Sequence, residues 1–392
     1  MTAHAAWGPH SLLMGLNPRL VVSATDRPKG DSSSARKTGG RIAILLPSLL
    51  FGGAERVAVN LARALKQLGW DVAILLMSKE GEFLEEAGTV ADVVDLHCDR
   101  TYKLPQRLAS YLAENPTDIL LSSFWKLNLC ACIARIFTPK IRLLLWEHSR
   151  QTGNSPGSTI FYLATASLFY RMAETVVCVS GGVANDVERR TVGLKSRLRV
   201  IHNPIPPPLS LLPVSERSVT KRIAWVGRLH GQKNPGLILD ALALVSKETD
   251  ASVVFIGDGA LRTNLERQAD KLGLSERVIF AGFQTDPYTL LSQCDLLALT
   301  SDWEGFGNVL VEAMHCGLGV VTTDCGEGVH EILGDSEYGT IVPKRDAKAL
   351  AEAIQAELAD PRDRDRQMMG ALRFLPEAIA RQFLSTAAID KA

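Results

Sequence analysis

The chain contains 392 residues, which is too long for one ordinary hydrophobic core and suits two domains of roughly 100–200 residues each. Hydrophobic residues make up 46% of the chain and charged residues 22%, so we expect a globular protein and exclude a fibrous repeat or wholesale disorder. The formal net charge is zero, but residues 1–200 carry 24 Lys and Arg against 17 Asp and Glu, and residues 201–392 carry 19 against 26. The excess positive charge suits contact with an anionic membrane surface or an anionic acceptor, or it reflects only two domains of different pI. We expect no nucleic-acid partner.

The cysteines and the chain start bear on the compartment. Seven cysteines lie scattered in apolar contexts without a Cys-x-x-Cys pair: Cys98, Cys130, Cys132, Cys178, Cys294, Cys316 and Cys325. Such a pattern predicts buried thiols in a reducing compartment, without disulfides or a zinc site. There is no run of 18 strongly apolar residues, and the first residues lack a basic segment followed by a long apolar one. We therefore expect a cytoplasmic protein.

The first domain is predicted over residues 41–204. Residues 1–40 show no periodicity and end in a polar run, which predicts a disordered tail. Strand 41–47, helix 55–68 and strand 71–77 then form a β-α-β unit, and further apolar strands follow at 118–125, 142–148 and 175–180. This alternation predicts a parallel, doubly wound sheet.

A second domain is predicted over residues 221–372. The proline-rich segment before it cannot continue a core strand or helix, so residues 205–220 are read as a linker. Six more strands are then predicted, at 222–226, 252–257, 277–282, 295–300, 319–323 and 339–342. Residues 373–392 contain a helix at 376–388 that has to pack on one domain or across both. The predicted fold class is α/β, with two doubly wound Rossmann-like domains facing across a cleft.

The first candidate site is the sequence GRLHGQKN at 227–234, between a predicted strand and a predicted helix. Ligands of open parallel sheets bind outside the carboxyl ends of the strands, and Gly227 allows close approach of the backbone. Arg228 and Lys233 are therefore placed to meet an anion. The alternative is a surface turn that carries two solvated cations.

The second candidate site is SDWEGFGNVLVEAMHCG at 301–317, which also follows a strand and opens a helix near Asn308. The amides of residues 305–308 lie at the positive end of that helix and suit a diphosphate. Glu304 lies in the loop, and Glu312 lies on an otherwise apolar helix, where a buried carboxylate requires hydrogen-bond donors. The hydroxyls of a ribose would serve. The alternative is a structural glutamate that caps a helix or pairs with a cation.

Five motifs together resemble family 4 of the retaining glycosyltransferases, which have the GT-B fold. They are the E-x7-E pattern in EGFGNVLVEA, the GRL…QKN loop, IGDG at 256–259, AGF at 281–283 and GGAERV at 52–57. The sequences EHS at 147–149 and TDCGEGVHEIL at 323–333 are most similar to enzymes that extend lipid-linked oligosaccharides or surface polysaccharides with hexoses or N-acetylhexosamines.

The resemblance implies a role for each matching residue. Arg228 and Lys233 would bind the donor diphosphate, Glu304 and His148 would contact the donor sugar, and Glu312 would hold the ribose. The remaining donor-binding residues implied by the resemblance are Gly305, Phe306, Gly307, Asn308, Val309, Gly227, Gly257, Asp258, Gly259, Phe283, Gly52 and Gly53. His148 at the end of a strand could also be an ordinary core histidine.

The resemblance also implies a mechanism without a metal or a resident cofactor, in which the nucleoside-diphosphate sugar, most often with uridine, is a co-substrate. The departing phosphate would help to deprotonate the acceptor hydroxyl, so the anomeric configuration is retained and no protein base is needed. The expected acceptor is a glycan or a lipid-linked glycan. The aromatic segment 160–170 is read first as a core helix, and if exposed it would suit contact with the inner face of the membrane. A nucleotide-sugar epimerase of the same fold and a non-catalytic nucleotide-sugar-binding subunit remain alternatives.

Overall fold

The computed structural model describes residues 39–50, 52–149, 165–209, 220–245 and 249–388. The tail predicted for residues 1–40 therefore lies almost wholly outside the described residues. Residues 150–164, which include the first five residues of the aromatic segment 160–170, also lie outside them, as do residues 210–219 of the linker.

The N-terminal half is built on a parallel sheet of seven strands. Their order in space is β3-β2-β1-β4-β5-β6-β7, so the order reverses between β1 and β4. The strands are β1 (Arg41–Leu46), β2 (Asp71–Leu76), β3 (Asp92–Asp95), β4 (Ile119–Ser123), β5 (Arg142–Glu147), β6 (Thr175–Cys178) and β7 (Leu198–Val200).

The C-terminal half is built on a separate parallel sheet of six strands in the order β10-β9-β8-β11-β12-β13. The strands are β8 (Lys221–Val226), β9 (Ala251–Ile256), β10 (Val278–Gly282), β11 (Leu296–Leu299), β12 (Gly319–Thr323) and β13 (Thr340–Val342). Both sheets follow the doubly wound order, in which the first strand of the half lies at the centre. The predicted pair of Rossmann-like halves is confirmed.

Helices cover these sheets. In the N-terminal half they are α1 (Gly53–Gln67), α2 (Leu84–Val90), α3 (Leu104–Glu114), α4 (Trp125–Arg135) and α5 (Gly181–Arg190). The others are α6 (Gly236–Leu244), α7 (Arg262–Lys271), α8 (Tyr288–Leu291), α9 (Asn308–His315), α10 (Glu327–Leu333), α11 (Ala347–Ala359), α12 (Arg364–Ala371) and α13 (Pro376–Ala388). The apolar periodicity of α1 is realised, because Val57, Leu61 and Leu65 are buried against the sheet.

Two strands were not predicted, β3 and β7. Each lies at an edge of the first sheet, and each is short and partly exposed. An edge strand buries only part of its surface, so DVVD and LRV lack the apolar run that marks a central parallel strand.

The C-terminal helix α13 returns to the N-terminal half. The ring of Phe383 packs edge-on against Trp146 of β5, with 5.1 Å between ring centroids, and Arg142 donates a hydrogen bond of 2.6 Å to the carbonyl of Ala387. The chain therefore passes between the halves twice, once after β7 and once before α13. The two passages are joined, because the amide of Ile205 donates to the carbonyl of Phe374 at 2.9 Å.

Two expectations concern the cysteines and membrane-spanning helices. All seven cysteines are reduced and buried, as the sequence predicts. Within the described ranges, no helix combines the length and the apolar character that a membrane span requires.

We expect Phe383→Ala to destabilise the protein by about 3 kcal/mol, since removing a buried aromatic side chain leaves a cavity. Phe383 is only 4% exposed and contacts the core of the other end of the chain. The midpoint of urea-induced unfolding measures the effect. The neighbouring exposed Gln382→Ala is the matched control, and equal midpoints for the two variants would show that α13 adds little to the N-terminal half.

Candidate active site

The candidate site lies where the order of the second sheet reverses. Strands β8 and β11 are neighbours, and the chain leaves them in opposite lateral directions. The loops that follow them, 227–235 and 300–307, therefore border the crevice in which open α/β sheets bind ligands. These loops carry most of the residues that the sequence analysis selected.

Thr300, a fully buried residue, fixes the relative position of the two loops. Its hydroxyl accepts a hydrogen bond from Trp225 Nε1 at 2.9 Å and lies 2.9 Å from the carbonyl oxygens of both Lys233 and Asn234. A buried hydroxyl with these partners holds the end of the first loop against the start of the second. The side chain of Lys233 is thereby directed to the second loop.

Lys233 and Glu304 form an ion pair inside the C-terminal half. The distance from Lys233 Nζ to Glu304 Oε1 is 2.5 Å, and Ser301 Oγ donates to the same carboxylate oxygen at 2.6 Å. The family resemblance implies that these two residues contact different parts of a donor, the diphosphate and the sugar. Direct contact between them places both charges at one point of the crevice.

The start of α9 is held by the N-terminal half. Gly305 lies so close to the His148 carbonyl that a Cβ on it would stand 1.9 Å from that oxygen, and Ser180 Oγ donates to the Gly305 carbonyl at 2.6 Å. Asn308 accepts from Asn203 Nδ2 at 2.8 Å and donates to the Gly53 carbonyl at 3.4 Å. The glycine loop at 52–53 therefore lies directly against the helix start.

The side chains that flank the start of α9 pack inside the protein. Gly307 precedes the first helical residue with φ of 108°, a conformation that favours glycine. The side chains of Phe306 and Val309 are buried, and the Phe306 ring stacks on His202 with 5.1 Å between centroids. Burial of these side chains fixes the direction of the amides at the positive end of α9.

Glu312 is an unusual carboxylate one turn further into α9. Its side chain is surrounded by protein atoms and remains partly exposed to solvent. No described residue donates a hydrogen bond to its carboxylate. Burial raises its pKa to about 7, with Asp286 adding to the rise, while the charges of Arg56 and Lys233 act in the opposite direction. Such a group has a high affinity for hydrogen-bond donors.

His148 faces the site from the end of β5. Its ring packs on Trp146 at 4.4 Å and on Phe124 at 5.7 Å between centroids. Burial lowers its pKa to about 3, so the imidazole is neutral at physiological pH. Within the described part of the chain its buried Nε2 has no hydrogen-bond partner. The nitrogen can therefore bind a ligand without losing a contact within the described residues.

Arg228 is exposed at the mouth of the crevice and faces α1. Burial raises the pKa of Glu55, and the charge of Arg228 acts against that rise, so the two side chains are close across the cleft. The Glu55 carboxylate folds back on Gly52, where a Cβ would stand 1.9 Å from Oε2. A side chain at position 52 would therefore require the Glu55 carboxylate to move.

Known families match both halves. Residues 51–207 match the model described as Glycosyltransferase Family 4, and residues 214–371 match the model described as Glycosyl transferases group 1. The chain belongs to glycosyltransferase family 4. The expectation of a sugar transferase is confirmed, and the chain is an enzyme of the GT-B fold.

Relatives and solved structures agree with this assignment. The enzyme is 27% identical to the Campylobacter jejuni N-acetylgalactosamine-N,N'-diacetylbacillosaminyl-diphospho-undecaprenol 4-alpha-N-acetylgalactosaminyltransferase, over 82% of this chain and 90% of that protein. It is 28% identical to the lipopolysaccharide core biosynthesis glycosyltransferase LpsE of Rhizobium meliloti, over 79% and 86% respectively. The crystal structure of Anabaena HepE in complex with UDP-glucose superposes with a TM-score of 0.76 at 22% identity, covering 89% of this chain and 99% of that one.

Other predicted donor contacts lie elsewhere in the glycosyltransferase. A Cβ on Gly257 would stand 2.0 Å from the Gly227 carbonyl, and one on Gly259 would stand 2.6 Å from the Leu229 carbonyl. These glycines are therefore required for packing between two loops, whether or not a base lies near them. Asp258 forms an ion pair with Arg262 at 3.1 Å, and Phe283 is 41% exposed after β10.

Several residues that hold the site together were not selected from the sequence. Arg56 belongs to the GGAERV motif, in which only the two glycines were predicted to contact the donor. Ser180 and Asn203 act from the N-terminal half and the passage after it, and Glu331 accepts from the Gly181 amide at 2.7 Å. No local pattern marks these residues, because each contact joins segments more than 100 residues apart.

We expect Glu312→Gln to raise the melting temperature of the ligand-free enzyme at pH 8. The folded state raises the pKa of Glu312 from 4.5 to about 7, so ionisation opposes folding increasingly as pH rises across that interval. Glutamine removes the cost. At pH 5 the carboxyl of the folded wild type is protonated and only the ionisation of the unfolded chain contributes, so the difference should be several times smaller than at pH 8.

Thermal unfolding at the two pH values measures this effect. Glu276→Gln, at an exposed position, is the matched control. A wild type that melts at or above the Glu312→Gln variant at pH 8 would contradict the assignment of a strained carboxylate.

Proposed function

We propose that this enzyme transfers a hexose or N-acetylhexosamine from a nucleoside-diphosphate sugar, with uridine as the favoured base, to a hydroxyl of a glycan or lipid-linked acceptor, with retention of anomeric configuration. The observation that supports this most directly is the convergence of Lys233, Glu304 and the start of α9 at the reversal point of the second sheet. A cation beside helix-start amides suits a diphosphate, and a carboxylate beside both suits the hydroxyls of the attached sugar.

Lys233 and Arg228 would bind the diphosphate together with the amides of residues 305–308. As the bond from the sugar to the phosphate breaks, negative charge accumulates on the departing diphosphate. Fixed cations and amides directed at that charge stabilise the transition state more than the ground state. The ion pair between Lys233 and Glu304 would break or rearrange as the diphosphate binds the ammonium group of Lys233.

Glu312 would bind the two ribose hydroxyls. Its carboxylate has no hydrogen-bond donor among the described residues, and a pair of hydroxyl donors would satisfy both oxygens. Donation to the ionised carboxylate favours that form, so the nucleotide would lower the pKa that burial raises. Binding of the donor would therefore relieve the electrostatic cost of this position.

His148 would bind a hydroxyl of the donor sugar through Nε2. The nitrogen is buried and unsatisfied within the described residues, and the ring stays neutral, so it can accept or donate one hydrogen bond without acting as a cation. On this scheme His148 positions the sugar, and the departing phosphate takes the proton of the acceptor hydroxyl.

The position of the acidic residues supports a reaction without a metal. Two carboxylates in an Asp-x-Asp sequence could together bind a metal ion beside a diphosphate. The sequence contains one Asp-x-Asp, at 363–365, and Asp363 caps α12 by accepting a hydrogen bond from the amide of Arg366. Arg364 in the same sequence donates to the Cys316 carbonyl at 2.8 Å, at the C-terminal end of α9. The diphosphate is proposed at the other end of α9, about 12 Å away at 1.5 Å per residue.

The acceptor class is supported by the relatives. The Campylobacter relative is named for a diphospho-undecaprenol-linked acceptor, and the Rhizobium relative for lipopolysaccharide core biosynthesis. The N-terminal half of this enzyme carries the excess positive charge, and Ile136 and Phe137 are exposed at the end of α4. Exposed apolar residues on a positive half suit peripheral contact with an anionic membrane that carries such an acceptor.

We expect one class of nucleotide sugar to stabilise the enzyme, and UDP-sugars to do so more than GDP- or ADP-sugars. A ligand at about 100 times its Kd stabilises the folded state by about 2.7 kcal/mol, which a thermal-shift assay detects. Lys233→Ala and Arg228→Ala should each remove most of the shift. Lys271→Ala, an exposed lysine on α7, is the matched control and should retain it.

The same preparation separates the proposed reaction from its alternatives. Transfer should require an acceptor and persist in EDTA. The anomeric configuration of the product, read by NMR from the coupling constant of the anomeric proton, should match that of the donor. Turnover of the donor alone to an epimeric nucleotide sugar would instead support an epimerase. Binding without turnover in the presence of a range of lipid-linked acceptors would support a non-catalytic subunit.

A further inference from the structure

Arg56 connects the two halves beside the candidate donor site. It lies in the first turn of α1, directly after the glycine loop and Glu55. Its guanidinium donates to Glu86 at 2.8 Å on its own half, and it also donates to the carbonyl of Thr285 on the C-terminal half. The ring of Phe83 lies under the guanidinium, 4.3 Å from its carbon. The side chain is thus fixed from two sides before it reaches across the cleft.

The segment that Arg56 contacts carries groups that face Glu312. Thr285 and Asp286 precede α8, whose Tyr288 has a pKa raised by burial and by the charge of Glu312. Tyr288 in turn donates to the carbonyl of Pro206 on the passage between the halves. The charged and titratable groups around Glu312 are Arg56 from α1, Lys233 from the loop after β8, Asp286 and Tyr288 from the 285–288 segment, and Cys316 from α9.

Arg56 is the only positive charge that the N-terminal half contributes to this group in the described residues. The neighbouring residue Glu55 faces Arg228 of the C-terminal half, so consecutive residues of α1 meet opposite charges across the cleft. Separation of the halves would remove both interactions at once. It would leave Glu312 with the groups of its own half, among which Lys233 favours its ionisation and Asp286 opposes it.

We propose that Arg56 is a positioning residue through which the N-terminal half completes the donor site: its guanidinium holds the 285–288 segment against α1 and presents a positive charge to Glu312. The proposal rests on the proposed function, since it assigns Glu312 to the ribose. It makes closure of the halves a condition for tight binding of the donor, because only the closed arrangement brings the charge of Arg56 to Glu312.

Arg63 provides a matched control. It lies two turns further along α1 and donates to the same Glu86 at 2.7 Å, but it makes no contact with the C-terminal half in the described residues. Arg63→Ala thus removes one partner of Glu86 without disturbing the cross-cleft contact. Arg56→Lys keeps the charge and loses the fork that reaches both Glu86 and Thr285.

The first experiment needs no ligand. Hydrogen–deuterium exchange of the full-length protein should show faster exchange over residues 285–291 in Arg56→Ala than in the wild type, because the clamp on this segment is lost. Arg63→Ala should exchange like the wild type there. Equal exchange of the segment in all three proteins would overturn the clamp.

The second experiment follows the affinity for UDP-glucose by calorimetry from pH 5.5 to 9. UDP-glucose is chosen because a phosphate diester lacks the second ionisation near pH ~6 of a terminal phosphate. In the wild type the affinity should rise with pH through about 7, as Glu312 ionises. In Arg56→Ala the rise should move to higher pH, and the affinity at pH 7 should fall roughly tenfold.

Arg56→Lys should keep the wild-type pH midpoint while it loses part of the affinity, and Arg63→Ala should match the wild type in both. An unchanged pH midpoint in Arg56→Ala would overturn the proposal even if affinity falls. The proposed function fails separately, if the wild type does not bind UDP-glucose or if Glu312→Gln binds it as tightly; in that case the exchange experiment still decides whether Arg56 holds the segment.

Discussion

The structure depends on one close approach, that of Gly305 to the backbone of His148. A carbonyl of the N-terminal half occupies the space in which any side chain at position 305 would stand. Ser180 and Asn203 then fasten the same loop through its Gly305 carbonyl and Asn308 side chain. The amides at the start of α9 therefore take their direction from both halves. The geometry of the donor site is a property of the angle between the halves and not of the C-terminal half alone.

This arrangement concentrates unfavourable electrostatics where the ligand is expected. Burial raises the pKa of Glu312 and lowers that of His148, and neither side chain has a hydrogen-bond donor or acceptor for its key atom among the described residues. Some buried polar atoms lack partners elsewhere in the described residues as well, for instance Ser122 Oγ and Gln367 Oε1, whereas the Thr300 hydroxyl contacts Trp225 and the loop after β8. Unfavourable electrostatics at a ligand site that the ligand relieves is typical of enzymes, which lose stability in exchange for function.

The sequence predicts the central strands, the doubly wound order and most residues at the second reversal point, because apolar runs and loop chemistry are local signals. The edge strands β3 and β7 are not predicted, because each buries too little of its surface to require an apolar run. Gly257 illustrates a different limit: its position was predicted, but the carbonyl of Gly227 and not a ligand is what excludes a side chain there. The Lys233–Glu304 pair and the contact from Arg56 to Thr285 join residues 71 and 229 positions apart, and no local pattern encodes such distances.

The two passages of the chain between the halves lie side by side, joined by the hydrogen bond from the Ile205 amide to the Phe374 carbonyl. His315 Nε2 lies 3.1 Å from the carbonyl oxygen of Ile205. A single passage would leave the halves free to rotate about any axis. Two adjacent passages favour hinge rotation of the halves about one axis, which runs through both passages. Torsion of one half over the other would break the bond between the passages. Closure about such an axis would bring the first turn of α1 back to the same place against α9, so that repeated turnover would not require the partners to search for their register.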